Sequence, residues 1–213
     1  MRQLSLRESF SLLARHAIPY TRPIYIAGEK DLEKVKKFPV VLKIDSEDVI
    51  HKSDVGAIVT NIQNHDDLKK AYHKILKNVR EEMPRARIHG VAAFKQESGT
   101  ELFVGMKRDS QFGNVIAFGL GGIFVEIMKD VSLRIAPFGK REAIKMIKEI
   151  QAYKVLEGAR GQEPVKIVLV ADLIVKASKM CATHHDIVEM DFNPVIANSK
   201  QAIVADVRIL SRK

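Results

Sequence analysis

The 213-residue chain is predicted to be an α/β protein in two halves. Three observations carry that prediction. In residues 1–92, apolar runs of strand length alternate with stretches of helical period. From Glu101 the pattern changes: strand-like runs follow one another closely, as in an antiparallel meander, and two helices come after. Between the halves, residues 92–99 lead into Glu97-Ser98-Gly99-Thr100, a polar stretch suited to a hinge.

The elements follow in order. Ser5-Leu6-Arg7-Glu8 has the pattern of a capping box, and Leu6, Phe10, Leu13 and Ala17 fall on one helical face that Pro19 ends. A short extended segment runs to Gly28. A short polar helix over 31–37 leads into a strand over 40–44. A second strand is expected at 57–62. Asn64 or Asp66 then caps a long helix whose apolar face is Leu68, Tyr72, Ile75, Val79 and Met83, with Pro84 as its stop. A third strand is expected at 88–94. In the second half, strands are expected at 101–107, 114–119 and 123–128, with turns at Asp109-Ser110-Gln111 and Gly121-Gly122. Helices over 140–151 and from Pro164 to about Met180 follow, the first with Ile144, Ile147 and Ile150 inward. Strands at 186–191 and 202–207 close the chain. The domain reading is 1–92 and 93–213, with no internal repeat.

Composition excludes several classes. A hydrophobic content of 46% supports ordered cores. The single cysteine, Cys181, rules out a disulfide within the chain and fits a reducing, cytoplasmic setting. The opening MRQLSLRESF lacks the apolar centre of a signal peptide, and no run approaches the roughly 20 apolar residues that cross a bilayer, so no membrane role is expected. The net charge of +9 is spread among acidic residues along helices, which reads as a solvated surface. A nucleic-acid-binding module is the least favoured class: aromatics are only 6%, and no basic recognition helix is present.

Several residues could carry chemistry. Lys43 ends the apolar run Pro39-Val40-Val41-Leu42. A lysine held on a buried strand needs a partner, and an internal carboxylate or a nucleotide phosphate would each supply one. His51 stands in His51-Lys52-Ser53-Asp54-Val55-Gly56; Asp54 could fix its tautomer and leave the other ring nitrogen nucleophilic. Gly119-Leu120-Gly121-Gly122 is either a phosphate cradle or a hairpin turn, with Glu126, Asp130 and Arg134 after it. Glu189, Asp191 and Asn193 alternate along an expected strand, which puts all three on one face. Asp206, at the end of the next strand, could lie opposite. Hard oxygen donors of this kind suit Mg²⁺, which takes one or two protein ligands with phosphates and water. His184-His185 with Cys181 lacks the spacing of a zinc site and reads as a helix exit.

The motifs HKSDVG at 51–56, FGLGGIFVEIMKD at 118–130, EGARG at 157–161 and EMDFNP at 189–194 occur in an order and spacing that resemble the ATP-grasp β subunit of NDP-forming acyl-CoA synthetases, the acetate–CoA ligase (ADP-forming) type. The resemblance covers nearly the whole chain. It implies an ATP-grasp fold of two α/β subdomains with the nucleotide in the cleft between them, and ATP/ADP and Mg²⁺ as cofactors. It implies phosphate binding by Lys43, with Gly121 and Gly122 closing on the phosphates and Arg134 as the cation on the transferring phosphoryl. The adenine would meet the backbone at Phe94, Lys95 and Gln96, and Glu97 or Glu101 would reach the ribose. Asn193 and Asp206 would hold the metal with Asp191 nearby. His51 would be the phosphorylated relay between ADP and the partner's own phosphohistidine. The implied reaction is acyl-CoA + ADP + Pi ⇌ carboxylate + CoA + ATP. The implied partner is an α subunit carrying the CoA and acyl sites, in an α2β2 heterotetramer; EGARG suits a role toward that subunit as well as a structural one. The alternative is another ATP-grasp carboxylate ligase subunit, of succinyl-CoA-synthetase type, whose β chain lacks this histidine relay. At positions 56–57 the family usually has Gly-Gly, and this chain has Gly56-Ala57.

Overall fold

A computed structural model describes residues 1–49, 52, 54–121, 130–158 and 163–212. In chain order the elements are β1 (Arg2–Gln3), α1 (Leu6–Arg15), β2 (Ile24–Ile26), a 3-10 helix at Glu29–Lys34, β3 (Val40–Asp45), β4 (Ile58–Ile62), α2 (His65–Glu82) and β5 (Gly90–Lys95). There follow β6 (Thr100–Asp109), β7 (Gly113–Leu120), β8 (Val131–Ile135), α3 (Lys140–Glu149), the single-turn α4 (Tyr153–Leu156), α5 (Ile167–Thr183), β9 (Ile187–Ala197), β10 (Ala202–Val204) and β11 (Val207–Ser211).

The chain divides into two compact units, Thr21–Glu97 and Met1–Tyr20 with Ser98–Lys213. The lead helix therefore belongs with the second half, not with the 1–92 half expected from sequence order. The reason is pairing: Arg2 and Gln3 lie opposite Ser211 and Leu210, and the Leu4 N–H donates to the Ile209 carbonyl at 2.9 Å. The capping box is present as expected, with the Ser5 side chain accepting from the Glu8 N–H and Glu8 reaching back to the Ser5 N–H. Ala17 is not part of the helical face. It lies beyond the helix end at φ 51° and is exposed.

In the unit Thr21–Glu97 the strand order is β2-β5-β3-β4, every pairing antiparallel. Val40, Leu42 and Ile44 of β3 and Val91 and Ala93 of β5 join Leu68, Ile75 and Val79 of α2 in one apolar core. Asn64 caps α2 by accepting from the Asp67 N–H at 2.9 Å. The strand alternation that buries this face sends Val41, Lys43, Ala92 and Phe94 to the other.

In the second unit the sheet runs β1-β11-β9-β6-β7-β8, with β10 paired to β9. Helices α3 and α5 cover one face, over Leu102, Val104, Ile116, Phe118, Met190 and Phe192, which are all buried. Three expected boundaries move. α5 starts at Ile167 rather than at Pro164, because the Val165 and Lys166 N–H groups donate to the Leu156 and Asn198 carbonyls. β9 does not stop at Asp191 but runs through Pro194 to Ala197. Its Val195 and Ala197 pair with Leu102 and Thr100 of β6, and the register shift between Leu102 and Val104 absorbs the Asn193-Pro194 step as a bulge. The expected single strand at 202–207 is two, β10 and β11, broken at Ala205-Asp206. The strands β1, β8 and β11 and the short α4 were not expected. The strand expected at 123–128 lies outside the described residues.

Candidate functional site

The sheet face that α3 and α5 leave open carries the acidic row. Along β9, Glu189, Asp191 and Asn193 are half-buried while Met190 and Phe192 between them are buried, the alternation expected from the sequence. Register then builds a line across five strands. Arg208 of β11 lies opposite Asp191, which lies opposite Gly105 of β6, Ala117 of β7 and Leu133 of β8 in turn. The next line runs Leu210, Glu189, Lys107, Val115, Ile135. The small residues at 105 and 117 floor a cavity of about 540 Å³ lined also by Phe103, Val115, Leu133 and Asp191. Phe103 folds over Gly105, where an added Cβ would sit 2.5 Å from the ring tip.

Asp206 does not end a strand; it sits in the break between β10 and β11. The Ala205 N–H donates to the Pro194 carbonyl at 3.0 Å, which holds the break against the Asn193-Pro194 bulge. Burial pushes the Asp191 carboxyl up to about 6, Asp206 and Glu189 push in the same direction by like charge, and Arg208 opposes them. Arg208 is ion-paired with Glu189. One buried oxygen of Asp191, Oδ1, has no hydrogen-bond partner among the described residues. A carboxylate so placed is unfavourable by itself and is relieved by a cation. Among the described residues no three His, Cys, Asp or Glu side chains are grouped as a metal site. Two aspartates and an asparagine nonetheless fit Mg²⁺, which binds through few protein ligands and completes its shell with phosphate and water.

Lys43 is only 5% exposed, and its Nζ stands 5.2 Å from the centre of the Phe94 ring, a cation–π contact on the sheet face opposite α2. The Lys95 ammonium pairs with Glu97 at 3.0 Å. The Gln96 N–H is committed to the Pro39 carbonyl, and its side-chain oxygen accepts from the Asn61 N–H at 2.6 Å, so both tie β5 to its neighbours. The Gly121 N–H donates to the Glu101 carbonyl at 2.7 Å, and an added Cβ at Gly121 would meet the Leu102 backbone at 3.0 Å. Glycine is needed there for close backbone approach, whatever else the loop does.

The expectation for Arg134 is corrected. It lies on the helix-covered face of β8, with Ser132, and its guanidinium donates to Glu142 at 2.8 Å and Glu149 at 2.5 Å, both on α3. These carboxylates raise its pKa further, and it fastens α3 to the sheet on the side away from the acidic row. Asp130 is also structural: its carboxylate accepts the Gln151 and Ala152 N–H groups, each at 2.8 Å, just before α4. His51, Gly122, Glu126 and Arg160 lie outside the described residues. Sequence reasoning missed Arg208. Period two from Asp206 would have placed it on the same face, but the strand was read as ending at 207.

The two units, each built on an antiparallel sheet backed by helices, have the architecture of the ATP-grasp class. The family model for an ATP-grasp domain matches residues 1–210, and the chain belongs to that family. Within it, this chain is similar to the β subunit of the ADP-forming acetate–CoA ligase I of Pyrococcus furiosus, 43% identical over 209 residues, with 95% of this chain and 89% of that one covered. It is 46% identical over 193 residues to the ADP-forming acetate–CoA ligase I of Archaeoglobus fulgidus; 90% of this chain matches, but it spans only 28% of that longer relative. Among solved structures it superposes with a TM-score of 0.95 and 41% identity on the dinucleotide-forming acetyl-coenzyme A synthetase 1 of Ca. Korarchaeum cryptofilum, in complex with coenzyme A, Ca-AMPCP and HgCl+, covering 99% of this chain and 94% of that one. A further structure of that enzyme holds coenzyme A and Mg-AMPPCP, with its phosphohistidine segment pointing towards the nucleotide-binding site. Among the described residues no helix is long and apolar enough to cross a membrane.

Proposed function

We propose that this chain is the nucleotide-binding β subunit of an ADP-forming acyl-CoA ligase, catalysing with an α partner the reversible reaction acyl-CoA + ADP + Pi ⇌ carboxylate + CoA + ATP. The observation that carries the reading is the acidic row Asp191-Asn193-Asp206, with its buried unsatisfied carboxylate oxygen, in a chain 43% identical to such a subunit. Asp191, Asn193 and Asp206 hold Mg²⁺, which when bound neutralises charge on the nucleotide phosphates. Lys43 contacts phosphate, its ammonium fixed on β3 beside Phe94. His51 accepts the phosphoryl group: a ring nitrogen bonds to phosphorus as the bond to the ADP oxygen breaks, and the electron pair leaves with ADP. The reverse step regenerates ATP. The α partner supplies the CoA and acyl sites, the assembly is α2β2, and the complex works in the cytoplasm. The base is read by backbone at Phe94 and Lys95, and Glu97 or Glu101 holds the ribose.

The test is phosphoryl transfer from γ-labelled ATP with Mg²⁺ onto wild type and His51→Ala. Acid-labile, base-stable label on wild type, absent from a folded His51→Ala, is the expected result. Equal labelling of both, or label on neither in the presence of the α subunit, would remove the relay.

A further inference from the structure

Glu189 is the member of the acidic row that the proposed metal set does not use, and it is held by another partner. Glu189, Asp191 and Asn193 share the open face of β9, so residues 189 and 191 are neighbours on that face, roughly 7 Å apart along the strand. Arg208 of β11 lies directly opposite Asp191. It nevertheless makes its ion pair with Glu189, reaching diagonally across the ladder. Two buried atoms on residues that face each other, Asp191 Oδ1 and Arg208 Nε, stay without a hydrogen-bond partner among the described residues. Lys107, the register partner of Glu189 on β6, is exposed, and among the described residues it forms no ion pair with Glu189. The Arg208–Glu189 pair is not there for the fold: its side chains are 31% and 34% exposed, and ion pairs this open to water contribute little to stability. Its effect is to sort the carboxylates. One is neutralised, and the aspartate beside it is left open.

We propose that Arg208 is a positioning residue that sets metal selectivity. By holding Glu189 to one side it limits the protein ligands to Asp191, Asn193 and Asp206. A small set suits Mg²⁺, which keeps several waters and takes phosphate oxygens in a tight octahedron. Ca²⁺ accepts more oxygens at longer distances and gains from a further carboxylate. Once released, the Glu189 side chain is long enough to turn along β9 towards Asp191 and add its oxygens. Arg208 touches neither metal nor nucleotide in this role. The inference rests on the reading of Asp191, Asn193 and Asp206 as the Mg²⁺ ligands.

The experiment is calorimetric titration of the full chain with AMPPCP, a non-hydrolysable ATP analogue, at saturating Mg²⁺ and at saturating Ca²⁺. The melting temperature of the metal-free protein is taken alongside. The readout is the ratio of the two affinities. Arg208→Met, which keeps the stem and loses the charge, is expected to shift that ratio about tenfold towards Ca²⁺, with the melting temperature nearly unchanged. Arg208→Lys, which keeps a cation for Glu189, recovers part of the wild-type ratio. Adding Glu189→Ala to Arg208→Met restores it, because the extra ligand is gone and the two changes couple. An unchanged ratio in Arg208→Met would overturn the proposal, as would a shift that Glu189→Ala does not reverse. So would an equal loss of affinity with both cations, which would make Arg208 a phosphate contact or a part of the fold. If wild type binds the analogue no better with either cation than in chelator, the metal reading falls first and this inference with it.

Discussion

At Asp191 folding and the proposed metal role pull in opposite directions. Its carboxyl is raised from the ordinary aspartate range to about 6 by burial and by Asp206 and Glu189, so the folded chain holds this proton more tightly than the unfolded chain. A raised carboxyl has no effect on stability below the unfolded value, near 4, and costs stability progressively as pH rises from there to about 6. Asp191→Asn is therefore expected to stabilise the metal-free protein at pH 7 by about 1–3 kcal/mol, with no gain at pH 4, in urea titrations at the two values. If Asp191 holds Mg²⁺ as proposed, the same variant is expected to weaken Mg²⁺-dependent nucleotide binding, since it removes the buried oxygen that has no hydrogen-bond partner among the described residues. A variant less stable at pH 7 than wild type would show that Asp191 is already compensated by Arg208. Asp206→Ala separates the two roles differently. It is expected to lose Mg-nucleotide binding while remaining folded, and unchanged affinity by calorimetry would remove Asp206 from the site. Lys43 gives a third outcome. Lys43→Met keeps the length and loses the charge on the Phe94 ring, so nucleotide affinity should fall at least tenfold in metal-free and Mg²⁺-containing buffer alike.

Helices were legible in the sequence where a polar cap met an apolar period. Ser5 with Glu8 and Asn64 both start helices where the residue pattern places them, because a cap is a local interaction that four or five residues fully specify. Asn64→Ala is expected to cost about 1 kcal/mol, read as a fall of a few degrees in the melting temperature, through the lost bond to the Asp67 N–H. Strand ends were less legible, since they depend on partners distant in the chain. Nothing local to Pro194 says that β9 runs on to Ala197; the pairing with β6 and β10 does. Nothing local to Arg134 says which face it takes, because Glu142 and Glu149 come from α3. The acidic row survived these errors because period two depends only on the strand existing. Arg208 was lost because its strand runs on to Ser211, past the end that the sequence pattern suggests.

For the whole chain, sequence order and folding unit disagree at the amino terminus, and that disagreement can be tested. Residues Met1–Tyr20 precede the unit Thr21–Glu97 yet pack with Ser98–Lys213. β1 extends the larger sheet beyond β11, and the Val204 N–H reaches back to the Pro19 carbonyl at 2.9 Å. The Lys176 ammonium holds the Ala17 carbonyl at 2.7 Å, and the His16 and His184 rings meet nitrogen to nitrogen at 2.9 Å. Phe10, Leu12 and Leu13 are buried, each worth about 1.5–3 kcal/mol when removed from water. The core of the unit Thr21–Glu97 includes none of these residues. Deleting residues 1–19 should therefore weaken one unit and spare the other. Hydrogen exchange is the measurement: protection should fall through β9, β11 and α5 while β3, β5 and α2 keep their wild-type rates. A uniform loss across both units would mean that they unfold as one cooperative body, and the order of the chain would then be a poorer guide to its folding than the pairing of β1 with β11.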